Sequence, residues 1–154
     1  MTRLAAGGPA PSFEMSADDW SIISNGTLDG SRYVLYFYPE DDTPGCTKQA
    51  CGLRDSWSRV AETGVEIFGV SPDSVKSHVE FRERFALPYR LLSDEGHRAA
   101  DAFGVWVEKT SAGRTYFGTE RTTFVIGADG RIEHVLPQVK PDAHVDQLLK
   151  ALAA

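Results

Sequence analysis

The chain has 154 residues, 42% hydrophobic and 25% charged, with a formal net charge of -6 at pH 7. A chain of this length can bury a substantial core without structural disulfides or metals, and mild negative charge argues against nucleic acid as a general partner. No apolar run approaches the roughly 20 residues that span a bilayer, and the first 15 residues lack the apolar centre of a signal peptide, so no membrane partner is expected and the cytoplasm is the default location.

After a Pro/Gly-rich stretch at residues 7–11, residues 32–39 (RYVLYFYP) form a near-continuous aromatic and β-branched run, the pattern of a strand buried on both faces. Pro39 cannot donate to a ladder and ends it. The turn-prone EDDTPG that follows leads into a helix starting near Gly45, with Ala50, Leu53, Trp57, Val60 and Ala61 at apolar positions and Gly64 closing it. Residues 65–73 (VEIFGVSPD) read as a second buried strand. Ser71 is placed to cap, and Pro72 to open, a helix running to about Phe85 through Val75, Val79 and Phe81.

Residues 89–97 (YRLLSDEGH) read as a shorter strand before a helix near residues 98–103. Residues 115–136 (TYFGTERTTFVIGADGRIEHVL) read as two strands about an Asp129-Gly130 turn, and residues 142–153 as a helix with Val145, Leu148, Leu149 and Leu152 on one face. This order of elements predicts an α/β fold, one domain over residues 1–154 with a central mixed sheet flanked by helices.

Cys46 and Cys51 are the only cysteines. Cys46 falls in the first turn of the predicted helix, where unpaired N–H groups and the positive end of the helix dipole favour an anionic sulfur. Thr43 lies three residues earlier, close enough to aim its hydroxyl at the sulfur or at whatever attacks it, and Pro39 and Pro44 stiffen the loop. Cys51 lies five residues on; in an ideal helix that places the Cα atoms about 8–9 Å apart, beyond the roughly 7 Å that a disulfide spans. Bonding therefore demands local unwinding. Gly45 and Gly52 lower its cost, although Gly52 also suits close helix packing. A four-ligand zinc site lacks ligands at this C-x4-C spacing, and a C-x-x-C reductase has a different one. Asp41 and Asp42 read as solvated turn residues. His78, His97, His134 and His144, without paired carboxylates or metal-ligand spacing, read as surface or structural residues.

The segment YFYPEDDTPGCTKQAC (residues 36–51) resembles the active-site segment of peroxiredoxins of the bacterioferritin-comigratory-protein or Q-type subfamily, whose pattern is Pro-x-x-x-Thr-x-x-Cys with a second cysteine five residues on. Pro39, Thr43, Cys46 and Cys51 match it, residues 68–106 and 119–132 are similar to the subfamily in content and order, and the likeness is weakest before about Tyr33. The resemblance implies a thioredoxin-like fold with a peroxiredoxin N-terminal extension. It also implies a cofactor-free peroxidase acting on hydrogen peroxide and alkyl hydroperoxides through a Cys46 sulfenic acid and a Cys46–Cys51 disulfide, recycled by thioredoxin or a similar dithiol protein and often monomeric. Arg121 matches the arginine that contacts the reactive sulfur and the peroxide; Gln49 stands where many members carry Glu, which weakens the expected hold on that arginine. A redox-sensing module using the same disulfide switch is the alternative reading.

Overall fold

The buried run at residues 32–39 becomes the middle of the molecule. In the computed structural model, which describes residues 1–154, the chain forms β1 (Glu14–Ala17), β2 (Ile22–Ser24), β3 (Tyr33–Phe37), α1 (Pro44–Asp55), α2 (Trp57–Ala61), β4 (Glu66–Ser71) and α3 (Val75–Phe85). It continues through β5 (Arg90–Ser93), α4 (Arg98–Ala102), β6 (Trp106–Ser111), β7 (Arg114–Thr119), β8 (Thr122–Ile126), β9 (Ile132–Leu136) and α5 (His144–Ala153). Seven strands make one sheet in the order β2-β1-β5-β4-β3-β8-β9. Strands β3, β4 and β5 run parallel, and β8, β9, β1 and β2 add antiparallel margins.

Alternation along β3 divides the core. Leu35 and Phe37 face a cluster with Phe68, Leu92, Phe103 and Phe124 that packs against α4; Val34 and Tyr36 face one with Ala50, Leu53, Phe81 and Leu148 from α1, α3 and α5. The result is a thioredoxin-like mixed sheet with helices on both faces. Because β3 and β4 are parallel, the loop after β3 emerges at the strands' C-terminal end, where α1 begins.

Four expectations change. The single helix expected up to Gly64 breaks at Ser56, whose φ of -105° and ψ of 17° leave the helical range, into α1 and α2. Ser71 belongs to β4 and caps nothing; Ser74 caps α3, its Oγ accepting from Ser77 N at 3.1 Å, and Pro72 precedes the helix. Residues 115–119 do not run into the hairpin at Asp129-Gly130. They pair as β7 with β6 in a separate two-stranded sheet, exposed along most of its length. Strands β1 and β2, four and three residues long, form where no strand was expected.

Candidate active site

Between Phe37 and Pro44 the chain turns sharply, with Asp42 at φ 59°, a left-handed value that aspartate tolerates better than most residues. Thr43 becomes the N-cap of α1 and Pro44 its first residue, so Cys46 sits in the first turn, buried at 2% exposure. Thr43 does not aim its hydroxyl proton at the sulfur: Oγ1 donates to the Glu40 carbonyl at 2.9 Å. Pro39 is half-buried at the head of the loop.

Asp41 is not a solvated turn residue. It is buried, and its carboxylate accepts from Tyr38 Oη at 2.6 Å, Ser77 Oγ at 2.8 Å and His78 Nδ1 at 2.7 Å. Its N–H donates to Asp73 Oδ2 at 2.8 Å, and His78 Nε2 donates to the Leu92 carbonyl at 2.9 Å. The loop is thereby bonded to α3 and β5. Asp41, Asp73 and His78 present ligand-type atoms within 4.8 Å of one another, but hydroxyl and N–H donors already occupy them, as in a hydrogen-bond network rather than a cation site.

Arg121 stands just before β8. Its Nη1 lies 3.5 Å from Cys46 Sγ and donates to Gln49 Oε1 at 2.6 Å. The Gln in place of Glu therefore still holds the guanidinium. On its other side Gln49 Nε2 is 3.1 Å from His144 Nδ1, and His144 Nε2 is 2.9 Å from Thr123 Oγ1. Gln49, Thr123 and His144 are fully buried. Burial, seconded by the charge of Arg121, pushes the His144 pKa down to about 3, so the ring is neutral. Gly45 admits the arginine: a Cβ there would lie 3.3 Å from Arg121 Nη2. Lys109 adds a second cation nearby. Its Nζ donates to the Thr119 carbonyl at 2.5 Å, and burial, then the charge of Arg121, pulls its pKa down.

Cys51 lies on the same unbroken helix as Cys46, half-buried, and both thiols are free. Burial pushes the Cys51 thiol up, partly offset by the charge of Arg54. Between the cysteines, the Ala50 carbonyl accepts from Tyr89 Oη at 3.2 Å, and Tyr89 pairs with Tyr36 Oη at 2.8 Å. Both phenols are raised, chiefly by burial. Gly69 makes room for this pair, since a Cβ there would lie 2.9 Å from the Tyr36 hydroxyl. Gly52 serves close packing, its absent Cβ 3.4 Å from Val145 on α5.

The site thus joins Cys46 with Arg121 and Gln49, and leaves Cys51 on the same helix but apart from that contact. Sequence reading missed the carboxylate partner of His78, the amide partner of His144, and Tyr89. Each lies more than 30 positions from what it binds, and no local pattern links them.

Comparisons with known proteins meet this geometry. Residues 6–135 match the AhpC/TSA family model. The chain is 45% identical over 149 residues to a putative peroxiredoxin bcp of Coxiella burnetii, covering 97% of this chain and 99% of the relative. It is 43% identical over 149 residues to Peroxiredoxin Bcp of Bacillus subtilis, covering 97% and 95%. Among solved structures, the bacterioferritin comigratory protein of Xanthomonas campestris, described for alkyl peroxide reduction, superposes with a TM-score of 0.88 at 31% identity, covering 99% of this chain and 98% of that one.

Proposed function

Because the chain belongs to the AhpC/TSA family, on its Bcp or Q-type peroxiredoxin branch, and is a thiol peroxidase, we propose that Cys46 is its attacking thiol and Cys51 its resolving thiol. The observation that carries this reading is the guanidinium of Arg121 3.5 Å from a buried sulfur in the first turn of a helix.

The Cys46 thiolate attacks one oxygen of hydrogen peroxide or an alkyl hydroperoxide. The O–O bond breaks, the sulfur becomes a sulfenic acid, and the departing oxygen takes a proton and leaves as water or alcohol. Arg121 and the first-turn N–H groups donate to the oxygen that gathers charge. Thr43, whose hydroxyl proton is committed to Glu40, offers its lone pairs to the peroxide O–H. Pro39 limits the freedom of the loop that holds these groups.

Cys51 then attacks the sulfenic sulfur, expelling hydroxide that leaves as water, and a disulfide forms. This step needs the first turns of α1 to unwind, because the intact helix holds Cys51 five residues beyond Cys46, out of disulfide reach; partial burial also raises the Cys51 thiol. An external dithiol of the thioredoxin type reduces the bond by exchange, and no cofactor enters the cycle. In this reading residues 1–154 form one domain that acts as a monomer in a reducing cytoplasm, where such a dithiol is regenerated.

A peroxide assay coupled to thioredoxin and its reductase tests the reading. Cys46→Ser is expected to abolish peroxide consumption; retention of most activity would reassign the attacking thiol. Cys51→Ser is expected to consume one equivalent and stall as a sulfenic acid that dimedone traps. Full turnover in that variant removes Cys51 from the cycle.

A further inference from the structure

Arg121 Nη1 carries two protons in the plane of the guanidinium, and both have partners: Gln49 Oε1 at 2.6 Å and Cys46 Sγ at 3.5 Å. The shorter bond orients the plane, and so aims the second proton at the sulfur. Gln49 can do this only while its carbonyl, not its NH2, faces the arginine. A guanidinium has no acceptor, so the amide orientation is settled on that side.

The other end of the amide settles the ring. Gln49 Nε2 donates to His144 Nδ1, which must then be the unprotonated nitrogen; the ring's single proton lies on Nε2 and donates to Thr123 Oγ1. A protonated ring would present a donor to the NH2 group and turn the amide away from Arg121. The same region holds the arginine's backbone, since Val139 N donates to the Arg121 carbonyl at 2.8 Å.

We propose that His144 is a positioning residue for peroxide reduction, acting through the Gln49 amide to aim the Arg121 guanidinium at the Cys46 sulfur. The proposal rests on the assignment of Cys46 as the attacking thiol. His144 touches neither sulfur nor peroxide; it is the middle link of a relay from Thr123 on β8 through Gln49 on α1 to the arginine. The ring faces Gln49 from α1, Thr123 from β8 and the neutral phenol of Tyr36 from β3, and Arg121 is the cation whose charge reaches it. Gln49 and Thr123 carry no charge and the buried ring is neutral, so nothing in the relay offsets the guanidinium charge.

The test measures the second-order rate of sulfenic acid formation by stopped flow, across pH, in folded full-length variants. His144→Leu is expected to lose about 10- to 100-fold, the scale on which misplaced reacting groups slow a reaction, with the rate–pH profile displaced to higher pH. The charged and titratable groups that face the sulfur are Arg121, Lys109 and Tyr36. His144→Asn, whose side-chain oxygen can accept from Gln49 Nε2, is expected to recover most of the rate. Gln49→Met removes the same relay, so adding His144→Leu to it is expected to cost nothing further, whereas a purely structural histidine gives additive losses.

A His144→Leu rate within twofold of the parent with an unmoved profile, or full additivity with Gln49→Met, overturns the proposal. If His144→Leu does not fold, the pair His144→Asn and Gln49→Met carries the test: loss of rate in the asparagine variant equal to that in Gln49→Met overturns it. Failure of the Cys46 assignment is separate, since it appears as activity surviving in Cys46→Ser.

Discussion

Two buried histidines flank the turn that carries Cys46, and their partners could hardly differ more. His78 faces acceptors at both nitrogens, the Asp41 carboxylate and the Leu92 carbonyl, and ties the loop before α1 to α3 and β5. His144 faces an amide donor at one nitrogen and a hydroxyl at the other, and ties α1 to β8 and α5. The first set of partners suits a ring giving protons to a charged group; the second suits a neutral ring. The residue type is the same, and the hydrogen-bond inventory around it decides whether it anchors a backbone or orients a cation.

Asp41→Asn breaks the charged side of this pairing most directly. It removes the negative charge from a buried carboxylate that accepts three hydrogen bonds. Loss of one partner of a buried pair costs about 3–5 kcal/mol, and urea unfolding is the measurement; an unchanged midpoint would mean the loop is anchored elsewhere.

The neutral side is sharpened by acid. With the His144 pKa at about 3 in the fold and an ordinary value near 6.5 unfolded, the unfolded chain binds the proton first as pH falls. Stability is undiminished by this group above pH 6.5, and declines by up to about 1.4 kcal/mol per pH unit below it until about pH 3. His144→Asn is expected to flatten that slope relative to the parent; parallel curves would place the acid sensitivity in other groups.

The smallest effect isolates a third buried contact that belongs to neither histidine. Tyr89→Phe removes the donor to the Ala50 carbonyl and the partner of Tyr36, at a cost of about 1 kcal/mol. Amide exchange over residues 45–52 is expected to quicken in this variant. No change there would show that the hydroxyl pair does not restrain the turns between the cysteines.

Much of this was legible in the sequence where the signal is local. The all-apolar run of β3, the Thr43, Pro44, Cys46 series and the apolar face of α5 each lie within one short window. The β6–β7 hairpin was not legible, because its strands are mostly exposed and carry no core-facing alternation. Ser71 does not cap α3 because it pairs with Ser93 in the sheet, and Ser74, three residues on, takes the cap. Asp41 looked like a turn acid because its partners Ser77 and His78 arrive from α3; His144 looked idle because Gln49 is 95 positions away.

The contact of Gly52 with Val145 gives the proposed cycle a tether length. If α1 stays clamped to α5 there, and the Asp41 network holds the loop at the other end, only the few residues between Thr43 and Gly52 come loose when the helix opens. A tether that short presents Cys51 to the sulfenic acid at an effective concentration on the order of millimolar. Within that proposed cycle, Cys51 outcompetes solution thiols present below that concentration, which shortens the time in which an oxidised Cys46 meets a second peroxide.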